Sequence, residues 1–155
     1  MNRPAQAEVE LRIRRVAGAE DLPLPQPATD GAAGMDLRAR LDRALTIRPG
    51  ARCLVPTGIA VALPAGHEAQ VRPRSGLALR HGLTLLNSPG TIDSDYRGEL
   101  SVVLINLGDE AVRIERGDRI AQMVVQRLPR VAVTQVDSLP ESVRGAGGFG
   151  HTGDD

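Results

Sequence analysis

The chain has 155 residues, with 19 Lys and Arg offset by 19 Asp and Glu, a single cysteine, and only two large aromatic side chains, Tyr96 and Phe149. That length predicts one domain with a core of its own, and the zero net charge argues against a general nucleic-acid or membrane-surface binder, whose affinity rests on excess positive charge. One cysteine excludes an internal disulfide and fits a reducing compartment. Taken in order, Val9, Leu11 and Ile13 alternate with charged residues, as do Met35, Leu37, Ala39 and Leu41, which is the period of half-buried strands. Residues 21–31 between them read as a proline-rich loop. Cys53 reads as a small buried hydrophobe. Ile59, Val61 and Leu63 predict another strand, and Ala69 and Val71 a weaker one. A short helix is predicted at Ser75–His81, ended by Gly82. Apolar runs at 83–86, 100–107, 112–114, 120–125 and 131–136 supply further strands. Turn signals such as Arg48-Pro49-Gly50, Pro64-Ala65-Gly66 and Arg116-Gly117-Asp118 separate them. Many short strands at roughly ten-residue spacing predict an all-β sandwich or barrel. The domain is expected over 1–139, followed by a mobile glycine-rich tail over 140–155. No apolar run suits a membrane span, and no secretory signal is seen, so the expected location is the cytoplasm.

The two rings fall outside any core pattern. Tyr96 lies in the polar run Asp93-Ser94-Asp95-Tyr96-Arg97-Gly98, and Phe149 lies among tail glycines. A ring on a glycine hinge is suited to closing over a nucleobase, because stacking needs only a flat face. The tail run Gly145-Ala146-Gly147-Gly148-Phe149-Gly150 fits the G-x-G-x-x-G pattern, but the sequence stops five residues later, leaving no crossover helix. The dinucleotide reading is therefore rejected. His67, His81 and His151 lack metal-ligand spacing and have no Cys partners, so protein-bound zinc is not expected.

Other segments carry polar chemistry. Pro73-Arg74-Ser75-Gly76-Leu77 puts a guanidinium and a hydroxyl at the start of the expected helix, which suits an anion. Gly90-Thr91-Ile92-Asp93-Ser94-Asp95-Tyr96-Arg97-Gly98 sets carboxylates beside the only tyrosine. Gly117-Asp118-Arg119-Ile120-Ala121-Gln122 ends with an amide inside a strand pattern, and Asp118 there reads as a turn former. With Ala33-Gly34-Met35-Asp36-Leu37 before them and Arg144-Gly145-Ala146-Gly147-Gly148-Phe149-Gly150-His151-Thr152-Gly153 after, these are five ordered motifs. In that order the chain resembles the trimeric dUTP pyrophosphatase (dUTPase) family, from about residue 9 to 153.

The resemblance implies a jelly-roll β fold assembled as a homotrimer, with active sites between subunits. It implies hydrolysis of dUTP to dUMP and pyrophosphate with Mg2+, limiting uracil in DNA and supplying dUMP. Asp93 then looks like the general base for a water attacking the α-phosphorus. Asp95 is the competing acid, read as structural. Arg74, Ser75, Gly76 and Gln122 resemble the phosphate contacts. Arg144 and Thr152 resemble the γ-phosphate clamp, with Gly150 and His151 as further substrate contacts, His151 through either its side chain or its backbone amide, and Phe149 resembles the ring over the uracil. Tyr96 resembles the residue under the deoxyribose. Asn87, with the backbone of Thr91 and Ile92, resembles the uracil-reading hairpin. Asp36 resembles a residue near the metal's water shell, with Mg2+ itself held by triphosphate and water. A dCTP deaminase, with Glu99 as its glutamate, and a catalytically idle nucleotide-binding trimer are the rival readings.

Overall fold

The structure is a computed structural model that describes residues 9–148. Its elements, in order, are β1 (Arg12–Arg15), β2 (Met35–Arg38), β3 (Leu45–Ile47), β4 (Arg52–Ala62), β5 (His67–Arg72), α1 (Ser75–His81), β6 (Leu83–Leu85), β7 (Gly90–Ile92), β8 (Glu99–Asn106), β9 (Val112–Ile114) and β10 (Arg119–Arg127). Two four-stranded sheets form, ordered β1-β4-β8-β6 and β2-β10-β5-β7, and β3 pairs with β9 in a smaller third sheet. Every strand pairing is antiparallel.

Strand β8 shows why the sequence settles this way. Leu100, Val102, Leu104 and Asn106 are buried, and the residues between them are only half-buried. Period two thus sends one set of side chains inward. Leu37, Val55, Leu83, Leu100, Leu104, Ile120 and Met123 meet in a single aliphatic core. Tyr96 does not belong to that core and is 44% exposed. Two features escaped the period. Strand β4 begins at Arg52, well before Ile59, and carries a register shift between Pro56 and Ala60. Gly58, at φ 77, sits in that bulge. Asn106 is fully buried yet satisfied: its amide donates to the carbonyls of Ile47 (2.9 Å) and Glu110 (2.7 Å), and its oxygen accepts from Gly108 N (2.9 Å).

Helix α1 occupies the expected span and buries none of its residues. Gly82 ends it at φ 63, its N–H donating to Ala78 O at 3.0 Å. A Cβ there would collide with the Gly108 backbone, so the position requires glycine.

Two expectations need correction. Residues 131–136 form no strand; Val131, Val133 and Val136 are exposed. A strand requires a partner for its amides and carbonyls, and the described residues offer that segment none. Cys53 is half-buried rather than enclosed, although burial still pushes its thiol pKa up. The proline-rich loop is anchored at its front: Leu22 is buried, and Arg116 binds Asp21 at 2.6 Å and Gly18 O at 2.6 Å. That guanidinium, through its hydrogen bonds, holds the Asp21 carboxyl below its ordinary range. Asp118 shapes its turn as expected, accepting from Glu115 N at 2.7 Å. No described helix is long and apolar enough to cross a membrane.

Candidate active site

The second sheet brings three of the sequence segments together. Register places Gln122 of β10 opposite Asp36 on one side and Arg72 on the other. Past Arg72 the chain reaches Pro73, whose carbonyl accepts the Gln122 amide at 3.0 Å. Arg74 follows in extended backbone (φ −93, ψ 123) and leads into α1. Its Nε donates to Asp36 Oδ1 at 2.9 Å, and its Nη1 to Arg119 O at 3.3 Å. Arg119 Nη1 reaches the other oxygen, Asp36 Oδ2, at 3.1 Å. One carboxylate is thus shared by two guanidinium groups, and the trio keeps a surplus positive charge.

Local backbone explains the convergence. Arg119 opposes Arg38 while Ala121 opposes Leu37, so β10 bulges at Ile120. A bulge redirects side chains on one strand, and here Arg119 and Gln122 end on either side of Asp36. Gly34 leaves room for the Gln122 amide: a Cβ there would displace Gln122 Oε1. At the start of α1, the amides of Leu77 and Ala78 both turn to Arg74 O. The Ser75 and Gly76 amides have no intrahelical acceptor. With Arg74 Nη2, which has no partner among the described residues, they make a cradle suited to phosphate oxygens.

The third segment lies across β5. Gly90 opposes Val71 and Thr91 opposes Gln70, so β7 is two strand spacings from β10, roughly 10 Å. Val71, Leu85, Asn87, Gly90, Thr91 and Ile92 help to line a narrow recess of about 50 Å3. Asn87 Nδ2 crowds Gly90: a Cβ on that glycine would lie 3.2 Å from it. Beyond the hairpin, Arg97 Nη1 clamps the turn by donating to Ser94 O (2.7 Å) and Tyr96 O (2.8 Å). The Tyr96 ring covers Gly98, and its hydroxyl donates to Glu99 O at 3.1 Å. Asp93 and Asp95 are exposed, and neither carboxylate has a partner among the described residues.

Some expected partners stay apart. Arg74 lines a different recess, of about 460 Å3, with Leu77, His81 and Arg119. The recess beside Asn87 contains none of Arg74, Ser75 or Gln122. Arg144 is exposed and donates from Nε to Gly147 O at 2.7 Å, within its own segment. Phe149, Gly150, His151 and Thr152 lie outside the described residues. Among the described residues no three His, Cys, Asp or Glu side chains are grouped to hold a metal. Arg119 had no role on sequence grounds. Its position three residues before Gln122 was visible, but its partner Asp36 lies 83 residues away.

Glu99 is committed to structure. Its carboxylate accepts from Arg40 Nε at 3.1 Å and from Gly58 N at 2.8 Å. That anchoring argues against a deaminase role. The family model described as dUTPase matches residues 20–153. The chain belongs to the dUTPase family.

Two relatives, both called deoxyuridine 5'-triphosphate nucleotidohydrolase, show the depth of the match. The Caulobacter vibrioides protein is 55% identical over 95% of this chain and 96% of its own length. The Sinorhizobium medicae protein is 54% identical over 99% of each. Among solved structures, a Staphylococcus bacteriophage 80alpha dUTPase with dUpNHpp superimposes with TM-score 0.80 at 24% identity, covering 93% of this chain and 98% of that one. A phage phi11 dUTPase gives 0.75 at 20% identity, covering 84% and 97%. These dUTPases share the fold, the all-β jelly roll expected from the motifs.

Proposed function

We propose that this protein hydrolyses dUTP to dUMP and pyrophosphate. The observation that carries the reading is the gathering of Asp36, Arg74, Ser75, Gly76 and Gln122 into one phosphate-ready cluster, in a member of the dUTPase family. Water adds to the α-phosphorus as the bond to the bridging oxygen breaks, and pyrophosphate leaves. Asp93 takes the water's proton. It follows β7 directly, at the end of the hairpin that holds the base. The remaining work is charge placement, for which Arg74 and the α1 amides are suited. Arg144 and Thr152 hold the γ-phosphate, and Phe149 stacks on the uracil.

Asn87, Thr91 and Ile92 line one recess of the chain and Arg74 another. The exposed apolar residues Val131, Val133, Val136 and Leu139 lie in a segment with no partner strand among the described residues. Both observations favour a homotrimer whose sites form between subunits. The domain over 1–139 would then carry the fold, and 140–155 the lid. Mg2+ suits this site as a passenger on the triphosphate. The described residues offer no metal cage, and Mg2+ favours phosphate oxygens and water. Bound there, it would neutralise charge on the phosphate chain. The reading places the enzyme in the cytoplasm.

Pyrophosphate release from dUTP, UTP, dCTP and dTTP, with and without Mg2+, tests the reading. Release from dUTP alone, dependent on Mg2+, is the expected result; no release from dUTP overturns it. Tyr96→Ala should raise kcat/KM for UTP relative to dUTP, since the ring that would crowd a 2′-hydroxyl is gone. An unchanged ratio removes Tyr96 from that role.

A further inference from the structure

We infer that Arg119 is a positioning residue for the phosphate site, acting through Asp36 on Arg74. The inference rests on the proposed hydrolysis but names a part of it that the motif resemblance left without a role. Arg74 is 25% exposed and Asp36 28%, so their pair is partly shielded from water. Arg119, at 50%, closes the open side of the carboxylate. Two contacts from Arg119 reach the trio: its guanidinium binds Asp36 Oδ2, and its main-chain carbonyl accepts from Arg74 Nη1. Together they fix the plane of the Arg74 guanidinium. With Nε and Nη1 engaged, Nη2 is the edge left to meet an anion, and it cannot rotate away without breaking both bonds.

The carboxylate has a cost as well as a use. A lone Asp36 would offset the charge of Arg74 and weaken its attraction for phosphate. Arg119 restores the surplus, so Asp36 orients Arg74 without neutralising the cluster. Charge-assisted contacts of this kind lose strength steeply when geometry slips. The β10 bulge at Ile120 is what brings Arg119 to the carboxylate.

The side-chain contact is tested by Arg119→Gln, which keeps length and some hydrogen bonding, and by Arg119→Lys, which keeps charge. In Arg119→Gln, KM for dUTP and Ki for inorganic tripolyphosphate should each rise about tenfold, the loss of one charge-assisted bond. Ki for deoxyuridine and the melting temperature should stay at wild-type values, because the base-side recess shares no residue with the trio. Arg119→Lys should recover part of the tripolyphosphate affinity. Asp36→Asn should weaken tripolyphosphate likewise, and Asp36→Asn/Arg119→Gln should be no weaker than the poorer single variant, since both remove one linkage. Three results would overturn the inference: unchanged tripolyphosphate binding in Arg119→Gln, deoxyuridine and tripolyphosphate weakened alike, or single effects that multiply in the double variant. Wild-type protein run alongside separates the two levels. Failure of the wild type to hydrolyse dUTP removes the proposed function, whereas an active wild type with an indifferent Arg119→Gln removes only the positioning role.

Discussion

Asp93→Asn should lower turnover of dUTP by about 100- to 10,000-fold, the range that general-base catalysis supplies, while KM changes little. Asparagine keeps the shape and the hydrogen-bonding reach of the side chain but cannot take a proton from water. The structure makes this substitution clean. Asp93 is exposed and its carboxylate has no partner among the described residues, so no fold contact is lost. Its backbone carbonyl still accepts from Tyr96 N at 3.2 Å, keeping the turn. Asp95 is the control. It too is exposed and has no side-chain partner among the described residues, so its expected structural role has no visible contact behind it. What separates the two is position, since Asp93 directly follows the β7 strand that lines the recess proposed to hold the base. Single-turnover kinetics of Asp93→Asn and Asp95→Asn decide between them. Loss of the chemical step in Asp95→Asn, with Asp93→Asn near wild type, would move the base two residues on.

Deleting residues 144–155 should reduce kcat/KM on the order of 100-fold or more, as loss of a closing element that completes a site does. The melting temperature and the oligomeric size should remain those of the full chain. The reason lies in where stability resides. The aliphatic core and the residues packed against it end at Val125. Within the described residues, Arg144 bonds only to Gly147, and Gly145 only to Ser142. The deletion therefore removes the proposed γ-phosphate and uracil contacts and, among the described residues, no core packing. Steady-state kinetics, thermal melting and size-exclusion chromatography of the truncated chain form the test. Full activity in that chain would dismiss the lid, and loss of the oligomer would shift the effect from closure to assembly.

How much was legible beforehand depended on the range of each interaction. Periodicity two was readable because it reports one strand's relation to one core, as in Leu100, Val102 and Leu104. The end of α1 was readable because Gly82 at φ 63 is a local backbone demand. The reading failed where a strand was inferred at 131–136, because alternation marks a segment fit to pair and says nothing of a partner. It also missed most of β4, where Pro56 and the Gly58 bulge interrupt the alternation.

The residues of the candidate site divide the same way. Asp93, Arg74, Gln122 and Tyr96 stood out in the chain as polar groups in short, ordered motifs, so local sequence alone fixed which side chains were available. The tertiary structure decided their partnerships. Asp36 meets Arg74 across 38 residues and Arg119 across 83, Gln122 meets Pro73 across 49, and Glu99 is tied to Arg40 across 59. The first three of those distances close only when β10 lies between β2 and β5 with its bulge in place. Charge and hydrogen-bonding capacity belong to each residue wherever it sits, whereas direction and pairing come into being only when the sheet register brings remote strands side by side.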